Sequence, residues 1–333
     1  MHLWGALFFV LSFALVGCGK PEPTHAFDLP RFQVPPLESQ RIEMLRRFPL
    51  VNAQEEESAP MDPVSGRAPF GALVHMPASG KGGFCSVAHV TRGFVTANAH
   101  CIDEDKDAGN YFVVFYNRRN WKRYERVLSF AYVGNRESLD VAVLKISDDA
   151  ASSWDTVDGD NIPAERDLEN SDAIMHKVIA WTFNPFEKNH PELFERYKGP
   201  GMRFYPKHCN AARKPPELFG VGLNNGKPGK THIRSPREDV KGMHWFIDDC
   251  DGRPVKGNSG SLVTDANDIR KMLGVFHWTV EADEKDQEKF NHFEYKSLDG
   301  HEQVLSWEDM SKRVFYGVGS DFTFLFSQAG KVF

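Results

Sequence analysis

The chain has 333 residues, 41% hydrophobic and 26% charged, with 27 Gly and 20 Pro, a balance that excludes collagen-like, coiled-coil and largely disordered chains. Forty Lys plus Arg stand against 46 Asp plus Glu for a formal charge of -6, so whole-chain charge makes no case for nucleic acid as a partner. Five cysteines are too few for a small disulfide scaffold, and their odd number asks for a separate use of one of them.

Leu3 to Val16 is apolar apart from Ser12. That is too short for a spanning helix, which needs about 20 residues, and the right length for a signal-peptide core. The run ends in Leu15-Val16-Gly17-Cys18, which resembles a lipobox, although His2 and no Lys or Arg precedes the apolar core. Residues 1–17 are therefore expected to be a signal peptide and Cys18 the lipidated N-terminus of an exported chain, where disulfides persist. Membrane contact is expected through that lipid anchor. Gly19, where a retention signal would carry Asp, points to an outer membrane of the cell envelope. From 18 to 60 the chain is rich in Pro and carries the acidic run Glu55-Glu56-Glu57. It reads as an extended tether with a short helix near Glu38 to Arg47.

From Ala68 onward short β-rich runs recur between turn signals: Gly71 to Met76, Phe84 to Val90, Gly93 to Ala97, Tyr111 to Tyr116, Arg126 to Val133 and Val141 to Ile146. After a polar stretch come Lys177 to Phe183, Trp245 to Ile247, Ser261 to Thr264 and Met272 to Val280. Many short strands with few helical stretches predict an all-β sandwich or barrel in one domain over 61–333. Two local charge biases lie in its second half. Arg196 to Lys241 holds eleven basic and three acidic residues, and Glu281 to Asp309 ten acidic and three basic. Both read as solvated loops, with contact of the basic stretch to an anionic polymer as the sharper alternative.

Three segments carry chemistry together. Thr96-Ala97-Asn98-Ala99-His100-Cys101 follows a strand, Asp140 opens the apolar strand Val141-Ala142-Val143-Leu144, and Gly257-Asn258-Ser259-Gly260 is a tight turn before another strand. A serine hydroxyl is a poor nucleophile until an imidazole takes its proton, and a carboxylate must hold that imidazole in one tautomer. Glycines beside the serine let backbone N–H groups converge on an oxyanion.

In this order and context the sequence resembles the chymotrypsin-like (trypsin-like) serine proteases, the bacterial glutamyl endopeptidase branch in particular, over about Ala68 to Val280. The resemblance implies two packed six-stranded antiparallel β-barrels, an endopeptidase activity on protein or peptide substrates, and no cofactor or metal. It assigns His100 as general base, Asp140 as its orienting partner, Ser259 as nucleophile, and the backbone N–H groups of Gly257 and Ser259 as the oxyanion hole. It also implies a disulfide between Cys85 and Cys101, bracketing the histidine. With that pair and Cys18 set aside, Cys209 and Cys250 are left to pair. Asn258 stands where zymogen-activated members have an Asp, and Asn98 where many have Ala; both are nearer the bacterial form. The 119 positions from Asp140 to Ser259 are long for the family and imply an insertion at about 185–245 in the second barrel.

For the substrate pocket the resemblance implies Arg253, six residues before the nucleophile, and the strand Gly274-Val275-Phe276-His277-Trp278. One extra residue between Gly274 and His277 turns His277 to the opposite strand face and Phe276 into the pocket, unless a bulge restores the histidine. An acidic residue before the cut, read by Arg253 or His277, is expected first, and a large apolar one second. The competing class is a catalytically silent protease-like lipoprotein that binds proteins or envelope components. Two lookalikes are discounted: Asn224 to Thr231 lacks the first glycine of a phosphate-binding loop, and Asp103, Asp105 and Asp107 lack the glycine spacing and terminal Glu of a calcium loop.

Overall fold

The computed structural model describes residues 31–52 and 67–321, apart from 79, 92, 104–106, 118–123, 136–139, 148–174, 187–190, 225–226, 234–243, 249, 252–256, 268–271, 281–287 and 314–315. The signal peptide, Cys18 and Arg253 lie outside the described residues, as do the side chains of His277 and Trp278.

Residues 31–52 form a strap: β1 (Arg31–Gln33), α1 (Glu38–Arg47) and β2 (Leu50–Asn52). Glu38 in the first turn of α1 and Arg46 and Arg47 in its last complement the helix dipole. The Arg47–Glu43 pair at 2.7 Å adds i,i+4 support. An extended tether with a short helix near Glu38 to Arg47 was expected through this stretch, and the helix is there. Yet Phe32, Val34, Leu45 and Phe48 are buried in the largest hydrophobic cluster, because a run with four apolar anchors gains more from burial than from solvation.

The first barrel follows: β3 (Arg67–His75), β4 (Lys81–Thr91), β5 (Phe94–Ala97), β6 (Tyr111–Asn117), β7 (Tyr124–Arg126), β8 (Ser129–Val133) and β9 (Ala142–Lys145). The pairing order is β7-β6-β3-β4-β5-β9-β8, with β1 added beside β4. β7 and β8 are two halves of one bent path around Val127 and Leu128, whose N–H groups bond to Tyr111 on one side and Lys145 on the other. Taken as one strand, they close a six-stranded barrel.

The second barrel uses β10 (His176–Pro185), β11 (Met202–Ala212), β14 (His244–Asp248), β15 (Ser261–Asp265), β16 (Met272–Val280) and β19 (Tyr316–Asp321). Their order β10-β15-β16-β19-β14-β11 is closed into a ring by the β10–β11 ladder, with β2 added on β11. A short helix α2 (Pro191–Tyr197) joins β10 to β11. The two barrels are a chymotrypsin-like fold.

Strand alternation divides the core into layers. Val87, Val95, Ala97, Val113 and Leu144 fill the first barrel, and Val178, Ala180, Trp245, Val263 and Phe276 the second. Between them Phe70 of β3 stacks on Trp181 of β10 and Phe204 of β11, with ring centroids 5.3 and 5.1 Å apart. This aromatic seam fixes one barrel against the other and so sets the cleft.

The insertion was expected at one place and occurs at two. Between β11 and β14 lie β12 (Glu217–Asn224) and β13 (Lys227–His232). Between β16 and β19 lie β17 (His292–Lys296), β18 (Glu302–Leu305) and α3 (Trp307–Arg313). All four strands join in a separate sheet, β13-β12-β17-β18, over its own core of Leu218, Phe293, Tyr295, Leu305 and Met310. The basic and acidic segments thus pair with each other. Lys230 of β13, in the basic segment, binds Glu294 of β17, in the acidic one, and within the acidic segment Lys296 binds Glu302 at 3.2 Å. The stretch resembling a phosphate-binding loop falls on the β12–β13 ladder, where Gly222 pairs with Gly229.

Candidate active site

β5 delivers the histidine. Its register pairs Ala97 with Ala142 of β9, so the chain leaving β5 faces the residues entering β9, and Asp140 meets His100. The His100 Nδ1 atom lies 2.6 Å from Asp140 Oδ2, and the His100 backbone N–H donates to Oδ1 at 2.8 Å. Asn98 donates its amide to the Asp140 carbonyl at 2.7 Å. Asp140 is wholly buried and His100 is 6% exposed. A buried carboxylate that accepts two N–H bonds fixes the ring tautomer: the proton sits on Nδ1, and Nε2 is the basic nitrogen.

Cys85 and Cys101 are joined, as are Cys209 and Cys250. The sulfurs of the first pair and a ring nitrogen of His100 lie within 4.8 Å of one another. Because the sulfurs are consumed by their own bond, this grouping offers no metal site. Asp107 of the calcium lookalike instead accepts from Gly109 N–H at 3.0 Å, and Asp103 pairs with His75 at 3.0 Å.

The turn carrying Ser259 is held from three directions. Gly257 and Gly260 have φ of +99° and +84°, values that glycine adopts without steric cost. Gly260 donates to Phe276 O at 2.6 Å and Ser261 to Asn258 O at 3.1 Å. The N–H groups of Gly257 and Ser259 take no backbone partner among the described residues. From the first barrel Ser86 donates its N–H to Ser259 O at 2.7 Å and its hydroxyl to Gly257 O at 2.9 Å. A Cβ on Gly260 would stand 2.1 Å from Ser86 O and 3.5 Å from Ala97 Cα. The serine turn therefore lies against the strand that leads into His100. No hydrogen bond joins His100 Nε2 to Ser259 here; contacts of this kind commonly tighten only on substrate binding.

In the pocket strand, Phe276 is 3% exposed and belongs to the interior of the second barrel. The β16–β19 ladder shifts register between Phe276 and Trp278, so His277 is the extra residue of a bulge. β15 pairs with β16 only as far as Phe276. Residues 277–280 have β19 on one edge, and no described strand on the edge toward Ser259. Ser86 and Asn184 are the site residues that sequence motifs miss: each acts through a bond to a turn more than 70 residues away.

No protein-family model matches the chain, and no curated protein matches it. Among solved structures the chain is similar to the active form of the Rv3671c protease from M. tuberculosis, at 14% identity and a TM-score of 0.40, covering 83% of this chain and 88% of that one. It is similar to a serine endoprotease from Yersinia pestis at 12% identity and a TM-score of 0.42, covering 83% and 68%. The inactive form of the Rv3671c protease gives 13%, 0.39, 83% and 98%.

Proposed function

We propose that this protein is a serine endopeptidase that hydrolyses peptide bonds through an acyl-enzyme. The buried His100–Asp140 pair beside the Ser259 turn carries this reading. Nε2 of His100 takes the Ser259 proton as Oγ attacks the scissile carbonyl. The imidazolium is stabilised by Asp140 and returns the proton to the leaving amine. The N–H groups of Gly257 and Ser259, which take no backbone partner among the described residues, receive the oxyanion. A water activated by His100 then releases the acyl group. The edge of β16 at residues 277–280, where no described strand pairs, accepts the substrate backbone as an added strand, and the Gly257-Asn258-Ser259-Gly260 form supports a place in the bacterial branch of such enzymes.

Leu15-Val16-Gly17-Cys18 supports export and anchoring of the enzyme to the cell envelope by lipid on Cys18. Metabolic labelling with a fatty-acid analogue, lost in Cys18→Ser, tests this part. The activity is tested with a fluorophosphonate probe. Labelling of Ser259 that disappears in Ser259→Ala and weakens in His100→Ala is the expected result, and folded protein that takes no label removes the reading.

A further inference from the structure

Ser86 is wholly buried and belongs to β4, where Phe84, Ala88 and Val90 pack in the seam and Cys85 and Val87 in the first barrel. Its three polar atoms all face the Ser259 turn of the second barrel. The N–H donates to Ser259 O at 2.7 Å, the hydroxyl donates to Gly257 O at 2.9 Å, and the carbonyl lies so close to Gly260 that a Cβ there would approach it to 2.1 Å. On its other side Ser86 follows Cys85, whose disulfide runs to Cys101, the neighbour of His100. One residue therefore touches the serine turn directly and the histidine turn through one covalent bridge.

The hydroxyl bond differs from the backbone contact in what it controls. A strand N–H would bond Ser259 O whatever side chain residue 86 carried. Only the hydroxyl reaches the carbonyl of Gly257, a residue at φ +99° with no Cβ to limit its rotation. Peptide planes on either side of such a glycine swing easily, and a buried carbonyl left without a donor turns to find another. Swinging the Gly257–Asn258 plane turns the Asn258 N–H with it, and the torsions on either side carry the flanking planes along, which hold the N–H groups of Gly257 and Ser259.

We propose that Ser86 is a positioning residue of the active site, whose hydroxyl holds the Gly257 carbonyl and thereby aims the N–H groups of Gly257 and Ser259 at the reacting oxygen. The proposal rests on the acyl-transfer reading above. Ser86 touches no reacting atom and acts through the turn alone.

The test compares Ser86→Ala with the wild-type chain. With p-nitrophenyl acetate as the probe, kcat is expected to fall by about ten-fold or more, as for loss of one oxyanion contact, with KM held within about two-fold. A residue needed only for stability would not produce that split. In parallel, amide hydrogen exchange of the segment 257–261 is expected to accelerate by about ten-fold while that of β6 stays unchanged, which also certifies that the variant is folded. Unchanged exchange across 257–261, or an unchanged kcat in an active enzyme, overturns the proposal. Wild-type protein that takes no fluorophosphonate at Ser259 overturns the enzyme reading instead, and the exchange measurement by itself then decides whether Ser86 holds the turn.

Discussion

Asn258 donates its side-chain amide to the carbonyl of Phe183 at 2.8 Å and to Asn184 Oδ1 at 3.1 Å. The residue before Ser259 is thus fastened to the end of β10 by a neutral donor facing two acceptors. Replacing Asn258 by Asp would set a wholly buried carboxylate against two oxygens. This substitution is expected to destabilise the fold by about 2–3 kcal/mol and to lower fluorophosphonate labelling of Ser259. Denaturant midpoints and labelling rates measured side by side check it, and wild-type values in both would contradict the clamp.

Asp140 accepts two N–H groups with two oxygens, and an amide can satisfy only one of them. Asp140→Asn is expected to preserve the barrels while favouring the wrong imidazole tautomer, with a loss in kcat of about 10³–10⁴-fold. A folded variant within ten-fold of wild type would show that the pair does not orient the base.

Lys207 alternates on β11 onto the same face as Cys209 and Ala211, inside the second barrel. It is 3% exposed, with Nζ 4.7 Å from the centre of the Tyr205 ring. Burial pushes its ammonium below the ordinary value of 10.5, and the nearby Asp251 only partly offsets this. The unfolded chain therefore binds more protons between the lowered value and 10.5, so this residue's contribution to stability rises with pH across that window. Lys207→Met is expected to raise the thermal midpoint at neutral pH by an amount that shrinks as pH approaches 10.5. A gain that is flat with pH would place its origin in packing.

The four-stranded sheet has its own core, so it can be weakened separately. Phe293→Ala is expected to cost that sheet about 3–5 kcal/mol and to speed exchange in β12 and β17. Labelling of Ser259 should stay within two-fold. By contrast Lys230→Ala, which breaks a solvent-exposed pair with Glu294, should change stability by about 1 kcal/mol or less. Loss of Ser259 labelling in the Phe293 variant would tie this sheet to the active site.

The parts legible in the sequence are those where residue type alone is informative. β16 occupies Met272–Val280, the run that its apolar residues mark out. The His100–Asp140 contact follows because a strand edge presents each residue. β11 is illegible because Arg203, Pro206, Lys207 and His208 interrupt its apolar pattern. The structure tolerates Pro206 since, among the described residues, no second strand pairs with β11 between its β2 pairs, which end at Phe204, and its β14 pairs, which begin at Asn210. β12 hides behind Gly220 and Gly222, whose missing side chains leave room for Phe290 and the backbone of Lys289. The two charged segments read as separate loops because their pairing is long-range: Val221 meets His292. Ser86 gives no local signal at all, its hydroxyl bond spanning 171 positions.

The strap has a consequence for the order in which the molecule assembles. β1 finds its partner where Arg31 meets Gly83, soon after both have left the ribosome. β2 waits for Met202 to meet Leu50, a closure across about 150 residues that cannot form until β11 has emerged. Such distant pairings are slow to form. The strap is thus fastened early at β1 and late at β2, and until β11 emerges β2 has no strand to pair with.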